Sequence, residues 1–159
     1  MRITVIAVGK LKEKYLKDGA AEYIKRLSRF CGIQVVEVDD EPAVESLSAA
    51  REDQIRKKEA ERILKKYTDA SLLIALDIKG VKLDSEGFAA KLQGYFVSGV
   101  SDVTFVIGGS LGLDAAFANK AALKLSISDM TFPHQLARLI LLEQVYRAFK
   151  IINGEPYHK

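Results

Sequence analysis

The stretch Val103–Asp114, with the sequence VTFVIGGSLGLD, constrains the fold of this chain more than any other segment. Its apolar run, Val103–Ile107, predicts a strand that is buried on both faces, as strands are in a parallel sheet. The run ends abruptly in three glycines within five residues, at positions 108, 109 and 112. Glycine tolerates positive φ and lets backbone N–H groups approach a ligand, so such strand ends hold ligands in α/β folds. We therefore expect a binding loop here, with a tight turn that holds no ligand as the alternative.

Four more apolar runs, each about the length of one strand, alternate with segments of helical pattern. These runs are Ile3–Val8, Ile33–Val38, Leu72–Leu76 and Leu123–Ile127. Helices are expected from Leu11, with Tyr15 on its apolar face, from Ser46 or Ser48 to about Tyr67, from about Glu86 after a Ser85 cap, and at Ala115–Asn119. Length and alternation together predict a single α/β domain over residues 1–159. Its sheet is predicted to be mainly parallel, with five or six strands, and flanked by helices.

The last helix is predicted to begin near Pro133 and to end at about Asn153-Gly154. Its apolar residues are not confined to one face. They fall into two sets on different faces of the helix. One set is Leu136, Ile140 and Ile151, and the other is Leu142, Val145, Phe149 and Ile152. A helix that is apolar all round must be covered on more than one side. In so small a domain we expect a second copy of the chain to supply part of that cover, which predicts a homodimer through this helix.

The charge pattern excludes a basic tail that binds nucleic acid without sequence specificity. The net charge is only +3, and the basic excess is spread evenly along the chain. One local cluster stands out, formed by Lys10, Lys12, Lys14 and Lys17. A solvated helix face is the simpler interpretation of this cluster, and a patch that faces phosphates is the alternative. Any RNA recognition must therefore come from local geometry or from surfaces assembled by two subunits.

Cysteine and apolar content indicate a cytoplasmic protein. The one cysteine, Cys31, allows no internal disulfide, suits a reducing compartment, and is expected to be a packing residue. No signal peptide is evident, and no apolar run approaches the roughly 20 residues that span a bilayer. Two histidines and the absence of HxxxH or CxxC spacing argue against a metal site.

The glycine loop does not match the common nucleotide motifs. Ser110 and Leu113 stand where GxGxxG requires glycine, and GxxxxGK[ST] does not occur. What remains is three strand ends, Leu76-Asp77, Gly108-Gly109 and Ile127–Phe132, which a parallel sheet places at one carboxyl edge. They would offer backbone donors and acceptors, apolar walls and no cluster of cations. Such a pocket suits an adenosine or another neutral heteroaromatic group better than a triphosphate.

Three segments carry a specific resemblance to a known family. They are Leu76-Asp77 with Gly80 and Ser85, FVIGGSLGL at Phe105–Leu113, and LSISDMTFPHQLARLILLEQVYRAFKIINGEPYH at Leu125–His158. In these segments the chain resembles the ribosomal large-subunit methyltransferase H family, which belongs to the SPOUT superfamily of RNA methyltransferases. The opening MRITVIAVGK and the length fit the same family, so the resemblance covers essentially the whole chain.

The resemblance implies a fold, a cofactor and a reaction that the residue pattern alone does not. The fold would contain a deep trefoil knot over about residues 72–159, with the last helix threaded through a preceding loop. S-adenosylmethionine would be touched by Leu76, Gly108, Ile127, Ser128, Asp129, Met130, Thr131 and Phe132. The active form would be a homodimer. It would transfer a methyl group to N3 of a pseudouridine in 23S rRNA within the assembled ribosome.

Three residues are the catalytic candidates. Tyr157 and His158, in the tail beyond the last helix, are expected against the target base in the dimer, and Arg138 is expected to hold phosphate or stabilise negative charge. The alternatives are a disordered tail and an Arg138 that pairs with Glu143 or with the partner chain. His134 is interpreted as a polar residue of the first helical turn.

Two other functions stay open from the sequence. One is a non-catalytic ribosome-binding factor that uses S-adenosylmethionine as a structural ligand. The other, with the resemblance set aside, is an α/β enzyme acting on a small nucleotide. The absence of a carboxylate–histidine or metal constellation beside the glycine loop argues against the latter.

Overall fold

The computed structural model describes residues 1–42 and 44–157, and it has one sheet of five parallel strands in the order β2-β1-β4-β3-β5. The strands are β1 (Arg2–Val8), β2 (Gly32–Val38), β3 (Leu72–Lys82), β4 (Asp102–Ile107) and β5 (Leu123–Ser126). The helices are α1 (Lys14–Leu27), α2 (Ala49–Leu64), α3 (Ser85–Val97), α4 (Ala115–Ala118) and α5 (His134–Ile152). The α/β class and the parallel sheet are confirmed, and the described residues contain five strands rather than six.

The sheet is covered on both faces, which explains its continuous apolar strands. Alternate residues of β1 point to opposite faces, so Ile3 and Val5 join one core while Ile6 and Val8 join another. The first core includes residues of α1, α3 and α5, and the second includes residues of α2 and α4. Within the described residues, no helix is both long and apolar enough to cross a bilayer.

The prediction that the third strand ends at Leu76 is wrong. β3 continues to Lys82, and its pairing with β5 shifts register so that both Leu76 and Val81 lie opposite Leu125. Gly80 makes this bulge possible, because a Cβ at Gly80 would lie 2.5 Å from the carbonyl oxygen of Lys124. The bulge is invisible in the apolar pattern because Asp77, Lys79 and Gly80 interrupt that pattern just where the strand bends.

Two helix starts also differ from the predictions. α1 begins at Lys14 rather than Leu11, and Tyr15 is 69% exposed, because Leu16 and Ala20 carry the buried stripe instead. α3 is capped by Asp84, whose carboxylate accepts a hydrogen bond from the Gly87 N–H at 2.7 Å, and not by Ser85. The cap of α2 is Ser48, one of the two predicted serines.

The apolar surface of α5 is covered largely within one chain. Phe149 stacks on Phe30, just beyond α1, and on Phe96 of α3, with ring centroids 5.8 Å apart in each pair. Leu142 and Val145 are completely buried. The need for cover is thus met by α1 and α3, so this helix does not by itself require a second copy. Partial exposure remains at Leu136, Leu139 and Ile140, and the homodimer stays a prediction.

Candidate active site

A cleft of about 150 Å³ opens at the carboxyl ends of β4 and β5 and beside the bulge of β3, at the edge where parallel α/β sheets bind ligands. Three chain segments build its walls. They are the start of the β3 bulge (Leu76, Asp77, Ile78), the end of β4 and its following loop (Ile107, Gly108, Gly109, Gly112), and the segment from β5 into α5 (Leu125–Ser128, Met130–Phe132, His134, Ala137). The strand ends that the sequence placed at one edge therefore do meet there.

Seven of the eight residues predicted to touch the cofactor line this cleft. They are Leu76, Gly108, Ile127, Ser128, Met130, Thr131 and Phe132. The eighth, Asp129, is not among the lining residues, because its carboxylate accepts hydrogen bonds from the Lys82 ammonium at 2.7 and 2.8 Å. Lys82 lies on the part of β3 that the sequence analysis missed, so this pairing could not have been predicted.

The glycine loop is a tight turn and a wall of the cleft at the same time. The N–H of Gly112 donates to the carbonyl of Gly109 at 3.1 Å, and Gly112 has a φ of +79°. A Cβ on Gly108 would lie 2.7 Å from the carbonyl carbon of Gly112, so the backbone closes on itself there. The two interpretations of this loop, a turn and a ligand wall, are thus compatible.

The segment after β5 is held by serine side chains. The Ser126 hydroxyl donates to the Ser128 carbonyl at 3.1 Å, and the Ser128 hydroxyl accepts from the Met130 N–H at 3.0 Å. These local bonds replace regular secondary structure and turn the chain toward α5. They also leave Met130 75% exposed at the mouth of the cleft.

His134 is the titratable imidazole of the cleft. Burial lowers its pKa from the usual value of 6.5, against an opposing effect of Asp40. At neutral pH it is therefore an uncharged imidazole, which can accept a proton. Its Nε2 lies 3.2 Å from the position that a Cβ on Gly9 would occupy, so this glycine leaves room for the ring.

Arg138 lies inside the protein, 1% exposed, rather than on an open surface. Its Nη1 donates to the Glu37 carboxylate at 2.5 Å and its Nη2 donates to the Gly9 carbonyl at 2.8 Å. The alternative pairing with Glu143 is wrong, because Glu143 accepts from Arg147 at 2.7 Å. The structure therefore does not bring Arg138 next to Tyr157.

Tyr157 packs on the side of α5, away from the cleft. Its ring meets that of Tyr146 edge-on at 5.0 Å, and the Arg147 guanidinium lies 4.7 Å from its centroid. Its hydroxyl donates to Glu143 at 3.3 Å. Burial, followed by the hydrogen bond with Tyr23, raises the pKa of Tyr157 to about 12, which makes it a neutral phenol at physiological pH. His158, the other predicted tail residue, lies outside the described residues.

Arg147 is the residue of this region that sequence reasoning missed. It holds Glu143 one helical turn away and lies against Tyr157. A usable signal existed in the sequence, because Glu143 and Arg147 form an i, i+4 pair in a helix that is otherwise mostly apolar.

Two other kinds of reactive group that a site can contain are a cysteine thiol and a set of metal-binding side chains. Cys31 is buried, and burial raises its pKa to about 11, so its thiol is inert packing rather than a nucleophile. Among the described residues, no three His, Cys, Asp or Glu side chains are grouped so that they could hold a metal ion.

Comparison with known proteins places the whole chain in one family. The family described as "Predicted SPOUT methyltransferase" matches residues 1–158. The chain is 61% identical over its full length to ribosomal RNA large subunit methyltransferase H of Acetivibrio thermocellus and 58% identical to that of Ruminiclostridium cellulolyticum. In both comparisons 100% of each chain is covered.

A solved structure shares the fold at low sequence identity. It is a probable methylase family protein from Haemophilus influenzae, with a TM-score of 0.54 and 18% identity over 99% of this chain and 70% of that one. The sequence matches are the decisive ones, since they extend over the strand ends that form the cleft. This chain belongs to the SPOUT methyltransferase family and, within it, to the ribosomal RNA large subunit methyltransferase H proteins.

Proposed function

We propose that this chain transfers the methyl group of S-adenosylmethionine to N3 of a pseudouridine in 23S rRNA of the assembled ribosome. One observation carries the proposal. The cleft at the carboxyl edge joins glycine backbone to apolar walls in a protein that belongs to an rRNA methyltransferase family. The same proposal assigns residues 1–159 to one catalytic domain and places the protein in the cytoplasm, where ribosomes are.

The chemistry of the cleft fits the adenosine part of the cofactor. Leu76, Ile127 and Phe132 supply apolar wall, and the loop at Gly108 supplies backbone polar groups without a cation. A wider cleft of about 920 Å³ continues from it and shares Leu76 and Phe132. This wider cleft is lined by charged side chains, Asp53, Arg56, Lys79 and Lys124 among them, and would receive the zwitterionic methionine part and the RNA.

The protein has mainly to align donor and acceptor, because the sulfonium methyl of the bound cofactor is already activated for displacement. Bound S-adenosylmethionine would supply this methyl group, and its transfer to N3 would require another group to accept the N3 proton. Good alignment in such reactions contributes roughly 7–11 kcal/mol. His134 lines the cleft as an uncharged imidazole, so it is the group we assign to accept that proton.

The position of the tail supports a homodimer as the active form. Arg147, which Tyr157 contacts, is thirteen residues beyond His134 on α5, and at 1.5 Å per residue this is about 20 Å. Tyr157 therefore lies far from the cleft of its own chain. For the tail to contact the target base, it must serve the cleft of a second copy, with Arg138 and Glu37 supporting the wall from within.

The trefoil knot over about residues 72–159 is part of the same proposal. It rests on membership of the SPOUT family and on the close approach of three segments, 76–78, 107–112 and 125–132, in one cleft. A chain that passes α5 through a preceding loop would bring these segments together and keep them in place.

The test is incorporation of labelled methyl from S-adenosylmethionine into ribosomes that lack the modification, with free large subunits and free 23S rRNA beside them. We expect label in a pseudouridine of the large-subunit RNA with assembled ribosomes. Absence of label on every substrate, with cofactor binding intact, would favour the second candidate, a non-catalytic ribosome-binding factor. Label on free RNA alone would contradict the requirement for an assembled substrate.

A further inference from the structure

A third cleft, of about 500 Å³, lies between α1 and the edge strand β2. It begins one residue along α5 from the active site, since Ala137 lines the active site and Arg138 lines this cleft. We call it the α1–β2 cleft. Its walls are formed by Lys10, Leu11, Lys17, Ala20, Ala21, Ile24, Val35, Glu37 and Arg138. We infer that this cleft binds a backbone phosphate and ribose of the substrate rRNA, outside the nucleotide that is methylated.

The charge of the cleft favours an anion. Lys10 and Lys17 are exposed, and neither has an acidic partner among the described residues. Their neighbour Lys14 differs, because it pairs with Asp18 at 2.6 Å. Three cations and one carboxylate line the cleft, so its net charge is +2. Unpaired lysines at the rim of a concave site are the arrangement that attracts nucleic-acid phosphates.

The buried arginine at this cleft is incompletely satisfied. Arg138 is 1% exposed, and its Nε has no hydrogen-bond partner among the described residues. The Glu37 carboxylate is already engaged, because it accepts from Arg138 Nη1 and from the Leu11 N–H at 3.2 Å. An orphaned donor on a buried cation costs free energy unless a ligand or water meets it. A ligand with acceptor oxygens, held by the two lysines, would lie beside this buried cation, which lines the cleft.

The apolar walls of the cleft favour binding of a ribose in addition to a phosphate. Leu11, Ile24 and Val35 give the cleft aliphatic sides but no aromatic ring for stacking. This surface suits a ribose beside the phosphate better than a stacked base. Contacts to phosphate and sugar fix the register of an RNA without reading its sequence. The cleft would thus position the rRNA while the active site selects the target base.

The geometry ties this cleft to the active site. Gly9 accepts a hydrogen bond from Arg138 and leaves room for His134. The N–H of Lys12 donates to the Gln135 side chain at 2.9 Å, which holds the lysine-bearing segment on the first turn of α5. An RNA that enters the active site therefore passes close to Lys10. The inference rests on the proposed function, because it assumes that RNA is the substrate.

The test compares two double variants with equal loss of charge, Lys10→Ala/Lys17→Ala and Lys65→Ala/Lys66→Ala. Lys65 and Lys66 are exposed at the end of α2, at the amino edge of the sheet, opposite the active site. For each protein, methylation of unmodified ribosomes is measured at several salt concentrations, and cofactor affinity is measured by calorimetry.

We expect the Lys10/Lys17 variant to raise KM for ribosomes about tenfold. We also expect the slope of log(kcat/KM) against log[salt] to become shallower by about one, the value for one lost phosphate contact. Its cofactor Kd should stay within twofold of the wild type, and the Lys65/Lys66 variant should match the wild type throughout. Equal effects of both variants, or a Lys10/Lys17 variant within twofold in KM with an unchanged slope, would overturn the inference. A wild type that methylates no RNA would instead contradict the proposed function.

Discussion

The carboxylate of Glu59 lies directly against the backbone of Gly109, so that a Cβ on Gly109 would be 3.1 Å from both carboxylate oxygens. Glu59 is 4% exposed and belongs to α2, whereas Gly109 lines the cleft. Its Oε1 accepts from the Glu41 N–H at 3.0 Å, and its Oε2 has no partner among the described residues. The carboxyl group therefore forms the outer support of the glycine loop and sets how far that loop can move.

Gly109→Ala should weaken cofactor binding about tenfold. The new methyl group would push on Glu59 and on Val8 Cγ1, 3.2 Å away, and overpacking of this kind typically costs about 1–3 kcal/mol. Calorimetric titration with S-adenosylmethionine measures the effect. Gly94→Ala is the matched control, since its Cβ would meet no atom within 4 Å. Equal affinity of the Gly109 variant and the wild type would contradict this role of the loop.

Glu59→Gln should change how stability depends on pH. Burial raises the pKa of Glu59 above its usual 4.5, so the folded state disfavours the charged form. That penalty is absent below the unfolded pKa and grows as pH rises through the folded pKa. The free energy of unfolding of the variant, relative to wild type, should therefore increase from pH 4 to pH 8. Chemical denaturation at several pH values provides the measurement, and a pH-independent difference would refute the assignment.

Arg138→Met should destabilise the protein by about 2–4 kcal/mol, because it leaves Glu37 without its main partner. The Glu37 side chain is 34% exposed, which keeps the expected cost below that of a fully buried pair. Adding Glu37→Gln to this variant should recover part of the loss. Urea unfolding of the two single variants and the double variant gives the coupling energy. A coupling near zero would mean that the pair contributes only packing.

Deletion of residues 157–159 should abolish methylation and leave cofactor binding nearly unchanged, because Tyr157 lies away from the cleft of its own chain. Mixing this truncated chain with the Gly109→Val variant should restore activity, since a mixed dimer would contain one intact cleft served by one intact tail. Separate incubations of each chain are the control. Full turnover by the truncated chain alone would contradict the role of the tail, and failure to complement would contradict its action across two subunits.

Prediction from the sequence succeeded where local pattern determines structure. The run Val103–Ile107 and its glycines predicted a buried strand and a tight loop, and parallel pairing then fixed which strand ends meet. Prediction failed where contacts between residues that are far apart in the sequence determine the structure. The extension of β3 depends on how closely Gly80 approaches Lys124, and the partner of Arg138 is 101 residues away. The burial of α5 likewise depends on packing against α1 and α3, which the residue pattern of α5 alone does not reveal.

Photocrosslinking tests directly whether S-adenosylmethionine binds in the cleft lined by Gly108 and Ile127. The protein is irradiated with labelled S-adenosylmethionine and digested with trypsin, which should release Leu125–Arg138 as one peptide because Lys124 and Arg138 bound it. This peptide contains Ile127–Phe132 and His134. We expect label in this peptide, with unlabelled cofactor competing it away. Competed label confined to peptides of α1 or α2, with none in Leu125–Arg138, would contradict cofactor binding in this cleft.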